Sequence, residues 1–177
     1  MSTQSNSTTP EIKDSGKIKK LSELIREIKV AMLSTVGPDG AVHSRPMFCQ
    51  EMDADGELWF FTRLSSGKVD SIEYEQHVNL AYSSPENSQF VSVAGRASIV
   101  YDRAKAEELW SPLHKAWFPE GLDDPDLTLL KVRAESAEYW DMPSAKMVQL
   151  FGMARAMLTG KAYSPSTSEN RRVEIHH

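Results

Sequence analysis

The chain has 177 residues, 40% of them hydrophobic and 25% charged, with a formal net charge of −5, which makes one compact core the default and argues against a broad nucleic-acid surface. Cys49 is the only cysteine, so no intrachain disulfide forms and the composition suits a reducing cytoplasm. The apolar runs fall far short of the roughly 20 residues that span a bilayer, and the Ser/Thr-rich start lacks the apolar stretch of a secretory signal, so neither membrane nor export is expected.

Residues 1–14 are rich in Ser, Thr, Asn and Gln and read as a disordered tail, because such a composition buries too little apolar area to offset the entropy of ordering. From Ser15 to about Lys29, Ile18, Leu21, Leu24, Ile25 and Ile28 recur at helical spacing, which predicts an amphipathic helix lying on a core. Val30–Val36 then runs into the turn sequence Gly37-Pro38-Asp39-Gly40, and a second strand follows over 41–50. Pro46 inside it donates no ladder hydrogen bond and therefore calls for an edge or a bulge. A turn at Asp53–Gly56 leads to a third strand, Glu57–Thr62, so the first three strands form an antiparallel meander.

Ser65-Ser66-Gly67-Lys68 opens a short helix that carries Val69 and Ile72 on one face and ends near Glu75, since serine is a favoured N-cap. Val78–Ser83 and Gln89–Tyr101 are the fourth and fifth strands, and Gly95 marks a bend in the fifth. Residues 103–118 read as helical and then irregular around Trp110, Pro112, Trp117 and Pro119, before a sixth strand over 127–140. A last helix from Pro143 to Gly160 and a polar tail over 161–177 close the chain. Six strands joined mainly by hairpins, with flanking helices, imply a mainly β fold whose antiparallel sheet closes or nearly closes, one way to remove its edges. The whole of 15–160 is read as one domain.

Two segments carry chemistry. At Thr62–Lys68 a strand ends and a helix begins with hydroxyls and a lysine, an arrangement in which free backbone N–H groups and the helix dipole favour a phosphate. On these residues alone an ordinary N-cap with a solvated lysine is the commoner arrangement. In Ser44-Arg45-Pro46-Met47, Arg45 shares a strand face with His43, Met47 and Cys49, and an arginine on such a face needs either a carboxylate or a phosphate. Of the two, the carboxylate is the commoner partner. His43 and His77 stand without further ligands at metal spacing, so no metal site is expected. Cys49 reads as an inert buried thiol, and Trp110, His114 and Trp117 read as core or interface packing in preference to an aromatic lid.

In order, Arg45-Pro46-Met47, Phe61-Thr62, Ser66, Lys68, Gln89 and Glu138-Tyr139-Trp140 resemble the pyridoxamine 5'-phosphate oxidase-like superfamily over residues 17–158, and most closely its bacterial general stress protein branch. The resemblance implies a six-stranded antiparallel split β-barrel that binds FMN, or FAD, in a groove between the subunits of a homodimer. It further implies that Arg45 and Lys68 contact the phosphate with Ser66 nearby, and that Met47, Phe61 and Thr62 line the isoalloxazine ring and ribityl chain. Gln89 and Trp140 would reach the flavin from the other side of the cleft. True pyridoxamine phosphate oxidases have an arginine beside the helix-start lysine, a basic residue closing the arginine strand and an Arg-x-His signature beyond the tryptophan; this chain has Gly67, Gln50 and Asp141–Lys146 there. Oxidation of the vitamin phosphate is therefore not expected. A flavin-dependent oxidoreductase acting on a small substrate is the leading expectation. The alternatives are a non-catalytic flavin carrier or sensor, or a haem- or deazaflavin-binding member of the same superfamily.

Overall fold

The computed structural model describes residues 11–141 and 170–174. Within them the order of elements is α1 (Glu11–Ile28), β1 (Val30–Val36), β2 (Val42–Met52), β3 (Glu57–Arg63), α2 (Gly67–Tyr74), β4 (His77–Ser84), β5 (Gln89–Val100), α3 (Arg103–Leu109), β6 (Leu127–Asp141) and β7 (Asn170–Glu174), with short 3-10 turns at Pro85–Asn87, Pro112–Ala116 and Gly121–Asp123. The helix expected from Pro143 to Gly160 lies outside the described residues.

All strand pairings are antiparallel, and the sheet order β3-β2-β1-β4-β5-β6-β7 is closed by an additional pairing of β3 with β6. Strands β1 to β6 thus form a six-stranded barrel, as the alternating pattern and hairpin spacing require. One edge of β6 pairs with β5 along its length. The other pairs with β3 over Leu127–Arg133 and then with β7 over Ser136–Trp140. β7 lies inside the segment expected as a polar tail: its backbone occupies the stretch of β6 that β3 leaves open, and a polar edge strand needs no buried face. At the other end of the chain, α1 starts at Glu11, within the expected tail, because Glu-Ile-Lys-Asp costs a helix little and Pro10 precedes it in sequence.

Period-2 alternation fills the barrel. Ala31, Leu33, Leu58, Phe60, Leu80, Tyr82, Val91, Val93, Leu130 and Val132 point inward and are essentially inaccessible, and Leu21, Leu24 and Ile25 of α1 cover the same core. Cys49 belongs to it as well. Burial pushes its thiol up to about 11, so the inert reading stands. No helix among the described residues is long and apolar enough to cross a membrane.

Two local irregularities have sequence causes. Pro46 faces Met32 on β1, whereas β2 pairs with β3 only from Cys49 to Met52. Its missing N–H therefore lies on an edge, where nothing is lost. At Gly95 the β5–β6 register slips by one residue, and a Cβ there would stand 2.3 Å from the Arg133 carbonyl oxygen. The bend expected at Gly95 is this bulge, which requires glycine because backbone has to pass against backbone.

A second, smaller cluster covers the outside of β3. Trp59 and Phe61 alternate away from the barrel interior, with Ala106, Leu109, Leu122 and Leu129 around them. The Phe61 ring meets Trp110 at 5.6 Å, His114 at 4.6 Å and Phe118 at 6.5 Å between centroids. His114 is buried. Its Nδ1 accepts from the Ser111 N–H (2.9 Å) and its Nε2–H donates to Gln50 Oε1 (2.9 Å), so the ring is neutral and ties this segment to the end of β2. The packing reading of Trp110 and His114 holds, while Trp117 is exposed.

Two stability outcomes follow. Gly95→Ala should lower the urea midpoint by the equivalent of about 1–3 kcal/mol, the ordinary cost of overpacking, whereas Gly67→Ala, which meets no atom within 4 Å, should stay within about 0.5 kcal/mol of the parent. Burial holds His114 below the ordinary histidine value. Between about pH 6.5 and that depressed value the unfolded chain binds the proton more readily, so the stability His114 contributes above pH 6.5 declines as the pH falls through this window and then levels off. His114→Gln should accordingly destabilise more at pH 7.5 than at pH 5.5 in paired urea titrations; an equal loss at both would show that the ring titrates as in water.

Candidate functional site

The site lies where β2 and β3 part. Continuing their ladder beyond Cys49 and Phe60 would set Met47 opposite Thr62. Instead β3 parts from β2 and stays paired with β6 to Arg63, the chain turns through 64–66, and α2 begins at Gly67. Arg45, Met47 and Cys49 alternate along the inward face of β2, with Met47 buried and Arg45 half-buried. Across the gap, Thr62 is buried and Ser66 and Lys68 are half-buried.

Lys68 Nζ donates to Thr62 Oγ1 at 3.0 Å and to Ser66 Oγ at 2.7 Å. Arg45 Nη1 donates to Thr35 Oγ1 at 3.2 Å. Among the described residues neither cation meets a carboxylate. Each threonine and serine oxygen that accepts one of these bonds still has its own O–H to give. Lys68 is held below the ordinary lysine value, first by burial and then by the repulsion of Arg45. Two cations close enough to repel, each held on hydroxyls and without a carboxylate partner among the described residues, make a polar cradle whose charge would suit an anion. Such a ligand removes the repulsion and supplies acceptors for every donor. Lys68 is thus half-buried and hydrogen-bonded where a solvated lysine was the commoner expectation, and among the described residues Arg45 meets a hydroxyl and no carboxylate.

Ser66 sits at the N-cap of α2 with extended backbone, yet its hydroxyl makes no capping bond. It is engaged by Lys68 instead. Phe61 departs from expectation: strand alternation turns its ring to the outer aromatic cluster, away from the face of Thr62, and leaves only its backbone beside the cradle. His43, placed in the sequence reading on the face of Arg45, is exposed at the start of β2 opposite Thr35.

Gln89 and Trp140 lie elsewhere. Arg45 is opposite Leu33, Leu33 opposite Leu80, and Leu80 opposite Val93, so Gln89 is three strands across and, at ~3.4 Å per residue, about 14 Å farther along the strands. There its Nε2 donates to Asp141 Oδ1 (3.3 Å), while its Oε1 is buried with no partner among the described residues. The Asp141 carboxylate is held below its usual range, chiefly by Lys20 at 2.7 Å. Half-buried Trp140 adjoins Asp141 on β6. One chain therefore brings Arg45, Met47, Thr62, Ser66 and Lys68 together, and holds Gln89 and Trp140 apart from them.

Thr35, which accepts from Arg45, is not among the residues expected from the sequence. Its signal was present, because on the buried face of β1 it follows Ala31 and Leu33, and a hydroxyl in an otherwise apolar row needs a polar partner.

Known proteins bear on this arrangement. A fungal relative, Protein bli-3 of Neurospora crassa, is 29% identical over 155 residues, which cover 82% of this chain and 74% of that one. Among solved structures, a general stress FMN/FAD binding protein from Xanthomonas citri is 31% identical with a TM-score of 0.62, covering 71% of this chain and 89% of its own. A protein related to general stress protein 26 from Clostridium acetobutylicum is 26% identical with a TM-score of 0.64, covering 72% and 90%. The family model described as pyridoxamine 5'-phosphate oxidase like matches residues 16–164, a span that takes in the whole barrel and the cradle, and the chain belongs to that family.

Proposed function

We propose that this chain binds a flavin nucleotide, FMN in preference to FAD, and serves as a flavin-dependent oxidoreductase acting on a small substrate. The observation that carries the reading is the pair Arg45 and Lys68, set around Thr35, Thr62 and Ser66 without a carboxylate among the described residues. A phosphate monoester fits this donor set: it brings charge to neutralise both cations and oxygens to accept from guanidinium, ammonium and hydroxyls. Two cations suit one terminal phosphate. When bound, the isoalloxazine ring supplies the redox chemistry, and the protein supplies position and shielding. Met47 and the backbone at Phe61 and Thr62 border the cradle and would line the ring system. The Xanthomonas citri protein, described as FMN/FAD binding, supports a flavin, and the two-cation donor set is what favours FMN over FAD.

The reading includes a homodimer with the flavin between subunits. The separation of Gln89 and Trp140 from the cradle supports it, since a second copy is the simplest way to present them to one ligand. The outer face of β1 and β2 offers a surface for that copy: Val30 and Phe48 are cross-strand neighbours, as are Met32 and Pro46, and Val30, Met32 and Phe48 are all about half exposed. Apolar side chains paired in this way on a sheet face mark an interaction surface.

Arg45→Ala and Lys68→Ala should each weaken FMN binding roughly 10-fold to 150-fold, the value of one charge-assisted hydrogen bond of about 1.5 to 3 kcal/mol. Riboflavin, which lacks the phosphate, should bind each variant nearly as it binds the parent. Fluorescence titration with both ligands separates the phosphate contribution from ring contacts, and equal losses for the two would defeat the assignment. In sedimentation, the parent should run at twice the chain mass and Phe48→Glu at the chain mass with its flavin lost. A monomeric parent holding stoichiometric flavin would defeat the shared site.

A further inference from the structure

We propose that Asp126 is a positioning residue for the phosphate cradle, a carboxylate that touches no ligand but sets the turn on which Ser66 and Lys68 are held; the proposal rests on the flavin-phosphate reading above. Asp126 stands immediately before β6, beside the end of β3. Its Oδ1 accepts from the Ser65 N–H at 2.7 Å, and its Oδ2 accepts from Ser65 Oγ at 2.8 Å and Arg63 Nη1 at 3.3 Å. Its own carbonyl accepts from the Leu64 N–H at 2.8 Å. One residue thus bonds all three residues between Thr62 and Ser66. Asp126 is itself fixed, since its N–H donates to Asp124 Oδ1 at 3.0 Å.

The consequence lies in which half of the cradle is free to move. Thr62 is locked into the sheet opposite Thr128, and Arg45 into the β1–β2 ladder. Ser66 and Lys68 hang on the turn, and α2 buries only Val69, Ser71 and Ile72. Without the clamp, the Lys68 ammonium would keep only its bond to Thr62 Oγ1 as a tie to the sheet, against the repulsion of Arg45, while the backbone that carries Ser66 and Lys68 lost its anchor. With it, both cations stay in place before any ligand arrives, so less ordering is left to accompany binding.

A carboxylate close to an anion site would oppose the ligand if it stood alone. Arg63 answers that charge, and is in turn anchored by its bond to the Trp117 carbonyl and by its place over the Phe118 ring, 5.2 Å from the centroid. The Ser65 N–H and hydroxyl, with Arg63, also keep the Asp126 carboxyl below the usual carboxylate range, so the clamp stays ionised across neutral and mildly acidic pH.

The test uses the full chain titrated with FMN and with riboflavin, for the parent, Asp126→Ala, Asp126→Asn and Arg45→Ala. Asp126→Ala should weaken FMN binding roughly tenfold, about the value of one lost hydrogen bond to a charged group, and leave riboflavin unchanged. Asp126→Asn should recover part of the FMN affinity, because the amide oxygen still accepts from the Ser65 N–H and the amide N–H donates to Ser65 Oγ, while Arg63 loses its acceptor. A purely structural residue would weaken both ligands together, and that outcome would overturn the proposal, as would an FMN-to-riboflavin ratio that Asp126→Ala leaves at the parental value. Arg45→Ala separates the two levels. If it shifts the ratio and Asp126→Ala does not, only the positioning role fails. If neither does, the phosphate reading fails and the positioning role with it.

Discussion

The partial burial of two cations, Arg45 and Lys68, on hydroxyl partners at the seam where β2 and β3 part is the constraint on which the candidate site depends. Two half-buried cations that face hydroxyls and no carboxylate among the described residues are unfavourable in the empty protein, because each loses hydration and neither gains a counter-charge. Such an arrangement persists only when surrounding elements leave the side chains nowhere better to go. The barrel provides that confinement. Arg45 is held by the full β1–β2 ladder, Thr35 and Thr62 are buried in the sheet, and the closing of β3 onto β6 fixes the end of β3 from which the helix-start turn departs.

Closure and splitting are therefore complementary. Were β2 and β3 paired along their whole length, Met47 and Thr62 would stand side by side on one continuous sheet and no gap would remain between the strands. Their pairing over Cys49–Met52 alone leaves the first half of β2 as an edge, and a proline sits on that edge where it costs no ladder bond. β6 compensates on the other side. Its 15 residues are long enough to pair with β3 and then β7 along one edge, so the barrel closes even though one seam is short. Gly95 lets β5 follow β6 through the bend that this requires.

Much of this was legible in the sequence, for identifiable reasons. Alternation in β1 to β6 shows in Leu58, Phe60 and Thr62 against Trp59 and Phe61, and the turns at Gly37–Gly40 and Asp53–Gly56 locate the hairpins almost to the residue. Lys68 and Arg45 were legible as residue types that need a partner, but which partner was not, because the choice between a carboxylate and a phosphate depends on what the third dimension brings near. Phe61 shows the limit of a motif: its place beside Thr62 suggested a shared role, while the period of two sends its ring to the opposite face. β7 was invisible for another reason. A polar strand of five residues has no hydrophobic pattern of its own, and its existence depends on the free edge of a strand roughly 30 residues earlier in the chain.

The departure at Gln50 has a structural explanation that bears on how the cradle works. Relatives that oxidise pyridoxamine phosphate are expected to carry a basic residue at this position, which would add a further cation to the arginine strand. Here Gln50 Oε1 accepts from the Nε2–H of His114, and Gln50 Nε2 donates to the Phe48 carbonyl. A lysine or arginine at this position would present N–H groups to the N–H of a histidine whose other nitrogen is already committed to Ser111. Position 50 and the segment around His114 are therefore chemically coupled: a neutral amide serves the outer aromatic cluster, and a cation there would dismantle it. With Gly67 beside Lys68 in place of a second basic residue, the proposed phosphate would have Arg45 and Lys68 as its cationic partners among the described residues of the cradle. Fewer cations make each one matter more, and they make the placement of the turn that supports Lys68 a larger determinant of affinity than it would be in a site with charge to spare.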